Sequence, residues 1–199
     1  MADYSVIADV SITLQTVLTA AYAPLDPGAP PVAEVSDLQG NISTNPARMT
    51  LFLFETVEDP SARNRPKVRA PAPPPPPPGL YFKKPPMALL LRYMLTPWSG
   101  DRLTDHKLVG RTLQVLYDGA ILSGTQLQGG LAGTDQALKV TLSPLTLEER
   151  ARVWYAIEKP YRLSLTYEVR VVNLDAEATE TITPVSQRSL KYFAPGAAS

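Results

Sequence analysis

Cysteine is absent from this 199-residue chain, and histidine occurs once, as His106. The first absence removes disulfide frameworks, thiolate metal sites and cysteine nucleophiles together. The second leaves a typical zinc site without its ligands. The longest apolar run, Met87 to Leu91, falls far short of the roughly 20 residues that a membrane-spanning helix needs. Met1-Ala2-Asp3-Tyr4 lacks the basic start and apolar stretch of a signal peptide. The chain is therefore expected to be made in the cytoplasm, and to leave a cell by lysis or within a larger object. An excess of one charge is also missing, since 19 basic residues balance 19 acidic ones. No global field draws in nucleic acid or anionic lipid, so neither nucleic-acid binding nor direct membrane insertion is expected.

Proline, in contrast, is abundant. There are 21, and eleven lie between Pro60 and Pro86, six of them consecutive from Pro73 to Pro78. The same segment carries Arg63, Arg65, Lys67, Arg69, Lys83 and Lys84 and no acid. Consecutive prolines fix φ and remove amide donors, so a semi-rigid, exposed polyproline II segment is expected here. It reads first as a plain spacer and next as a contact with neighbouring subunits, with a ligand for acidic polymer or an aromatic groove as the remaining alternative.

Around that segment the hydrophobic pattern predicts an α+β domain with a mostly antiparallel sheet and about three helices. Val6, Ile7, Val10, Leu14, Val17, Leu18 and Ala21 share one helical face over 4–21. Residues 101–118 repeat the pattern through Leu108, Val109, Thr112, Leu113 and Leu116, with Gly119 as the cap. Thr146 and Glu149 form a capping box that opens a third helix, with Leu147, Ala151, Trp154 and Tyr155 facing inward. A strand over 49–57 has apolar residues on both faces and reads as central, or as an edge strand awaiting a partner. It pairs in expectation with 87–96, stopped by Pro97, so that the proline-rich segment is a loop inserted between two strands. Short strands are expected at 32–38, 120–122 and 137–142. Tyr161, Leu163, Leu165, Tyr167, Val169 and Val171 alternate strictly, the pattern of a strand with one buried face. A weaker strand over 180–192 contains Pro184, which argues for an edge position. The expected organisation is one domain over 1–195, with 60–86 as the inserted loop and 196–199 as a disordered tail.

Catalytic signatures are thin. His106 has only Asp105 and Asp101 near it in sequence and reads as a surface or interface residue. Gly124, Gly129, Gly130 and Gly133 lack the Lys-Ser/Thr of a phosphate loop and read as a flexible hairpin loop. Glu148 and Glu149 suit a helix N-terminus. A non-enzymatic protein without cofactor or metal is expected, one whose business is contact. Candidate interface residues are Arg63, Arg65, Lys67, Arg69, Tyr81, Phe82, Lys83, Lys84, Trp98, Arg188, Leu190 and Tyr192.

An ordered set of phrases carries a resemblance. Ser5-Val6-Ile7-Ala8-Asp9-Val10 opens the first helix, and Leu89-Leu90-Leu91-Arg92-Tyr93-Met94-Leu95-Thr96-Pro97-Trp98 is an apolar strand ending in Thr-Pro. His106 to Asp118, Trp154, and the run from Pro160 to Arg170 follow in order. Together, from about Tyr4 to Phe193, they resemble the cap proteins of extracellular contractile injection systems, relatives of the antifeeding prophage and the Photorhabdus virulence cassettes. The resemblance implies a fold similar to phage tail terminators and a subunit of a six-fold ring distal to the baseplate. Such a ring would end the inner tube and anchor the last sheath layer. The proline-rich segment departs from that family's core. The alternatives left open are a terminator from a contractile phage and a monomeric binding module that uses the proline-rich segment.

Overall fold

The computed structural model describes residues 3–71, 80–182 and 188–189. The chain divides into two compact units, Met1–Asn64 with Pro86–Asp175, and Arg65–Pro85 with Ala176–Ser199. The sequence had suggested one domain with a loop, and the smaller unit is built from part of that loop together with the C-terminal segment.

The larger unit is a six-stranded sheet with helices on both faces. α1 (Val6–Tyr22) leads into β1 (Val32–Val35) and β2 (Arg48–Glu58), and β5 (Met87–Trp98) returns beside β2. α2 (Arg102–Asp118), β6 (Ile121–Ser123), β7 (Ala137–Leu142), α3 (Leu147–Ala156) and β8 (Leu165–Leu174) complete it. The strand order is β1-β2-β5-β8-β7-β6. Only β1 and β2 run parallel; the other neighbours are antiparallel. The α+β fold with three helices is therefore present, and β2 is a central strand.

The apolar residues on both faces of β2 serve two cores. On one face Val10, Leu14 and Leu18 of α1 and Leu108 and Leu116 of α2 pack on Leu51, Leu91, Tyr93, Val140 and Val169. On the other, Leu38, Met94 and Trp154 form a smaller cluster against Phe52 and Phe54. α1 and α2 thus cover one face and α3 covers part of the opposite one. Two hydroxyl pairs bind the helices to the first core: Ser11 Oγ lies 2.8 Å from Tyr93 Oη, and Tyr22 Oη 2.6 Å from Thr112 Oγ1. Burial raises the Tyr93 phenol to about 12 despite its bond to Ser11, so it stays a neutral partner at ordinary pH.

Four expectations need correction. α3 buries only Trp154, while Leu147 and Tyr155 are 62% and 86% exposed. β8 begins at Leu165, and Tyr161 and Leu163 stand outside the ladder. Within β8 the register slips by one residue between Leu89↔Val172 and Leu91↔Val169, so strict alternation is broken and Val172 is buried in the core. Pro97 does not end β5, which continues to Trp98. Pairing with β8 stops at Leu95, so beyond it β5 has only β2 beside it and a missing amide costs little.

The smaller unit is a three-stranded antiparallel sheet in the order β3 (Val68–Arg69), β4 (Leu80–Lys83) and β9 (Thr179–Ile182). β9 is an edge strand, as Pro184 suggested, but of this separate sheet. The six-proline run, the rest of the expected strand to Tyr192 and the tail at 196–199 lie outside the described residues.

Candidate interaction surfaces

The residues that sequence reasoning singled out fall into two groups. Lys67, Arg69, Tyr81, Phe82 and Lys83 come together on the three-stranded sheet, where Val68 is in register with Lys83 and Arg69 with Phe82. Tyr81 is buried, Phe82 and Lys83 are half-buried, and Arg65, Arg69 and Lys84 are exposed. Lys67 pairs with Glu180, whose carboxyl that ammonium holds below the usual range. Arg63 lies in the larger unit, 3.2 Å from Glu58. Arg188 is exposed. Leu190 and Tyr192 lie outside the described residues.

Trp98 belongs to the larger unit, at the end of β5. Its indole nitrogen donates to Thr50 Oγ1 at 2.9 Å. The Arg162 guanidinium sits 4.2 Å above its ring, a cation–π contact. Arg162 also donates to Asp105 Oδ2 and to the Pro97 carbonyl, both at 3.3 Å. Burial lowers the Arg162 pKa, while Asp105 pushes it back up. Arg162 thus ties the 161–164 segment, which stands outside the ladder, to the end of β5 and to α2. Asp105 further accepts from Ser99 Oγ at 2.8 Å. Its neighbour His106 points outward and is exposed.

Sequence reasoning missed a charge ladder on the α3 face of the sheet. Arg92 bridges Glu55 on β2 and Glu168 on β8, at 2.5 and 3.0 Å, and Arg170 closes on Glu168 at 3.0 Å. Burial raises the Glu168 pKa, but Arg170 and Arg92 outweigh it and hold the carboxyl below its ordinary value. The signal was the polar half of the β8 alternation, which shows that these side chains share a face but not which strands they meet.

A second missed feature runs along the outside of α2. Leu103 and Tyr117 are 67% and 85% exposed. Gly110 lies between them at heptad spacing, exposed, with nothing within 4 Å of where a Cβ would sit. Beside Tyr117 opens an apolar groove of about 520 Å³, lined by Leu113, Val140, Leu142 and Tyr167. Among the described residues no cluster of three or more metal-ligating side chains occurs, and no helix is long and apolar enough to cross a membrane.

A six-stranded mixed sheet with two helices on one face and a short helix on the other is similar to tail-terminator structures. One is the sheath/tube terminator of the extracellular contractile injection system PVC in its extended state. It matches with a TM-score of 0.62 at 20% identity, over 100% of this chain and 67% of that one. Another is the tube-terminating cap of the anti-feeding prophage, with a TM-score of 0.56 at 18% identity, over 93% of this chain. This chain spans 61% of that cap's length. No curated protein sequence matches. The chain belongs to the Pvc16 N-terminal domain family, whose profile matches residues 9–188.

Proposed function

We propose that the chain is a non-catalytic terminator subunit of a phage-tail-like contractile injection particle. In this reading it acts as a six-fold ring at the baseplate-distal end. There it stops polymerisation of the inner tube and anchors the last sheath layer. The observation that carries the reading is the likeness to a sheath/tube terminator along the whole of this chain. Family membership over residues 9–188 supports it. The protein is made in the cytoplasm and needs no cofactor.

The physical role suits the larger unit. A terminator presents fixed surfaces to several neighbours at once, and a sheet buried between two cores supplies a rigid base for them. Arg63, Arg65, Arg69, Lys83, Lys84 and Arg188 are the proposed contacts for acidic surfaces of tube or sheath, and Trp98 is a further proposed contact.

Negative-stain electron microscopy of particles made with and without the gene tests the proposal. Tubes of uncontrolled length, or tubes that shed their sheath, are expected without it. Particles of normal length with intact sheath would overturn it.

A further inference from the structure

Three tyrosines are buried in the larger unit, and two have their hydroxyls bonded. Tyr22 meets Thr112 at 2.6 Å and Tyr93 meets Ser11 at 2.8 Å. Tyr167 is the third. It stands on β8 in register with Tyr93 of β5 and Leu142 of β7, and is 4% exposed. Among the described residues its phenol has no hydrogen-bond partner, and burial alone raises it to about 12. A buried tyrosine ordinarily finds a partner. Phenylalanine would pack in the same place without the cost of taking a hydroxyl out of water.

The hydroxyl is not sealed in. Among the described residues, the sealed side-chain atoms without a partner are Arg48 Nε, Thr96 Oγ1 and Arg150 Nε. The Tyr167 oxygen therefore keeps access to open space, and the space that Tyr167 lines is the apolar groove of about 520 Å³. The topology leaves this groove open. α2 ends at Asp118, and the ladder of β6 with β7 reaches only Ile121↔Lys139, with one further bond from the Val140 amide to the Ala120 carbonyl. β7 runs on to Leu142 beside β8. Beyond Ala120, β7 has no strand on that side among the described residues. Val140 and Tyr167 line the sheet side of the gap, and Leu113 and Leu116 line the helix side. Tyr117 and Leu142, both exposed, stand at its mouth.

The lining selects the chemistry of an occupant. None of its residues is charged, so an ion would lose water without gaining a partner. Gln114 is exposed and already accepts from Arg111. Thr141 alternates with Val140 and Leu142, so its side chain belongs to the other face of the sheet. Inside the mouth only the Tyr167 phenol is left to bond, whereas a peptide brings an N–H and a C=O with each residue. The volume falls in the roughly 300–1,000 Å³ range of small-molecule sites.

We propose that the groove between α2 and β7 binds a small, uncharged, mainly apolar molecule with a single carbonyl or hydroxyl group, which bonds the Tyr167 phenol. Aromatic or medium-chain ketones, esters and alcohols make up the class. The inference goes beyond the terminator reading and does not rest on it.

Methyl naphthyl ketone and ethylnaphthalene, alike in shape but for the carbonyl, are the probes, and equilibrium dialysis against the full chain reads their binding. The ketone is expected to bind the wild type with a Kd of about 100 μM or tighter. Tyr167→Phe is expected to weaken the ketone about 5- to 10-fold and the hydrocarbon by less than about twofold. Leu142→Arg, at the exposed mouth, is expected to weaken both at least about tenfold. The Tm of Tyr167→Phe is expected to equal or exceed that of the wild type, because its hydroxyl loses no partner. A lower Tm would mean that the phenol is bonded within the protein, and would overturn the proposal. A wild type that binds neither probe would do the same, as would Leu142→Arg binding both normally or Tyr167→Phe affecting both alike. A capped dipeptide of phenylalanine and leucine that binds more tightly than the ketone would make a protein segment the occupant, and would overturn it as well.

Discussion

Asp9 sits on the buried side of α1, where a carboxylate needs donors. It receives Ser5 Oγ at 2.9 Å and the Gly130 amide at 3.1 Å. A Cβ on Gly129 would lie 2.0 Å from its Oδ1, and Gly129 has a φ of +61°. The glycine loop is thus shaped around one acidic side chain of α1. Gly129→Ala is expected to destabilise the protein by about 2 kcal/mol or more, the left-handed backbone and the close approach adding together. Gly133→Ala, at φ +71° with open space around it, is expected to cost about 1 kcal/mol. Thermal unfolding of the two variants measures the difference. The sequence showed a run of glycines, but a positive φ beside a carboxylate more than a hundred residues away leaves no local mark.

Glu168 carries a second residue-scale prediction. Its folded pKa lies below its ordinary value of 4.5, chiefly through Arg170 and Arg92 working against burial. A depressed carboxyl contributes stability that is fully present above the unfolded value. That contribution is lost as pH falls through the folded one. Unfolding free energy is therefore expected to drop below about pH 4.5, and Glu168→Gln is expected to flatten part of that acid limb. At pH 7 the same variant is expected to cost about 1–3 kcal/mol, because Arg92 loses a charged partner. Urea titrations at pH 3 to 7 check both statements.

Elements defined by local pattern were the most legible in sequence. The periodicity of α1 and α2, the capping box at Thr146 and the pairing of β2 with β5 all follow from residues close in the chain or alike in hydropathy. What escaped was set by distant partners. The slip in β8 depends on how it meets β5, and the segment of Tyr161 and Leu163, outside the ladder, has its ties through Arg162 to Trp98 and Asp105 far off in sequence. α3 misled for a different reason. Its apolar residues were read as a core stripe, whereas only Trp154 turns inward. Trp154→Ala is accordingly expected to cost about 3–5 kcal/mol locally. It is expected to free α3 for proteolysis between residues 146 and 160 while the α1–α2 core survives. Limited proteolysis followed by mass spectrometry reads this directly.

At the scale of the molecule, neither apolar cluster draws a residue from the smaller unit among the described residues. A chain ending at Asp175, with Asn64 joined to Pro86 by a short glycine-serine linker, is therefore expected to keep the larger unit folded. Its Tm is expected to stay within a few degrees of that of the full chain. Loss of cooperative unfolding would contradict this. The candidate basic residues Lys67, Arg69, Lys83 and Lys84 would all be removed with their sheet, so the same shortened chain separates their contribution to particle assembly from that of the larger unit.

The register pair Met87↔Leu174 has a consequence for the order of folding. It places side by side the points where the chain leaves for β4 and for β9, strands about a hundred residues apart in sequence. Joining such distant segments in a free chain carries a large loop-closure cost, and a small three-stranded sheet returns little to offset it. Once β5 and β8 have paired, that closure is already made, and β4 and β9 meet as if on a short tether. The smaller sheet is thus the last part to form and the first to open. Its amides should exchange with solvent through local opening, while those of β2, β5 and β8 wait for the whole chain to unfold.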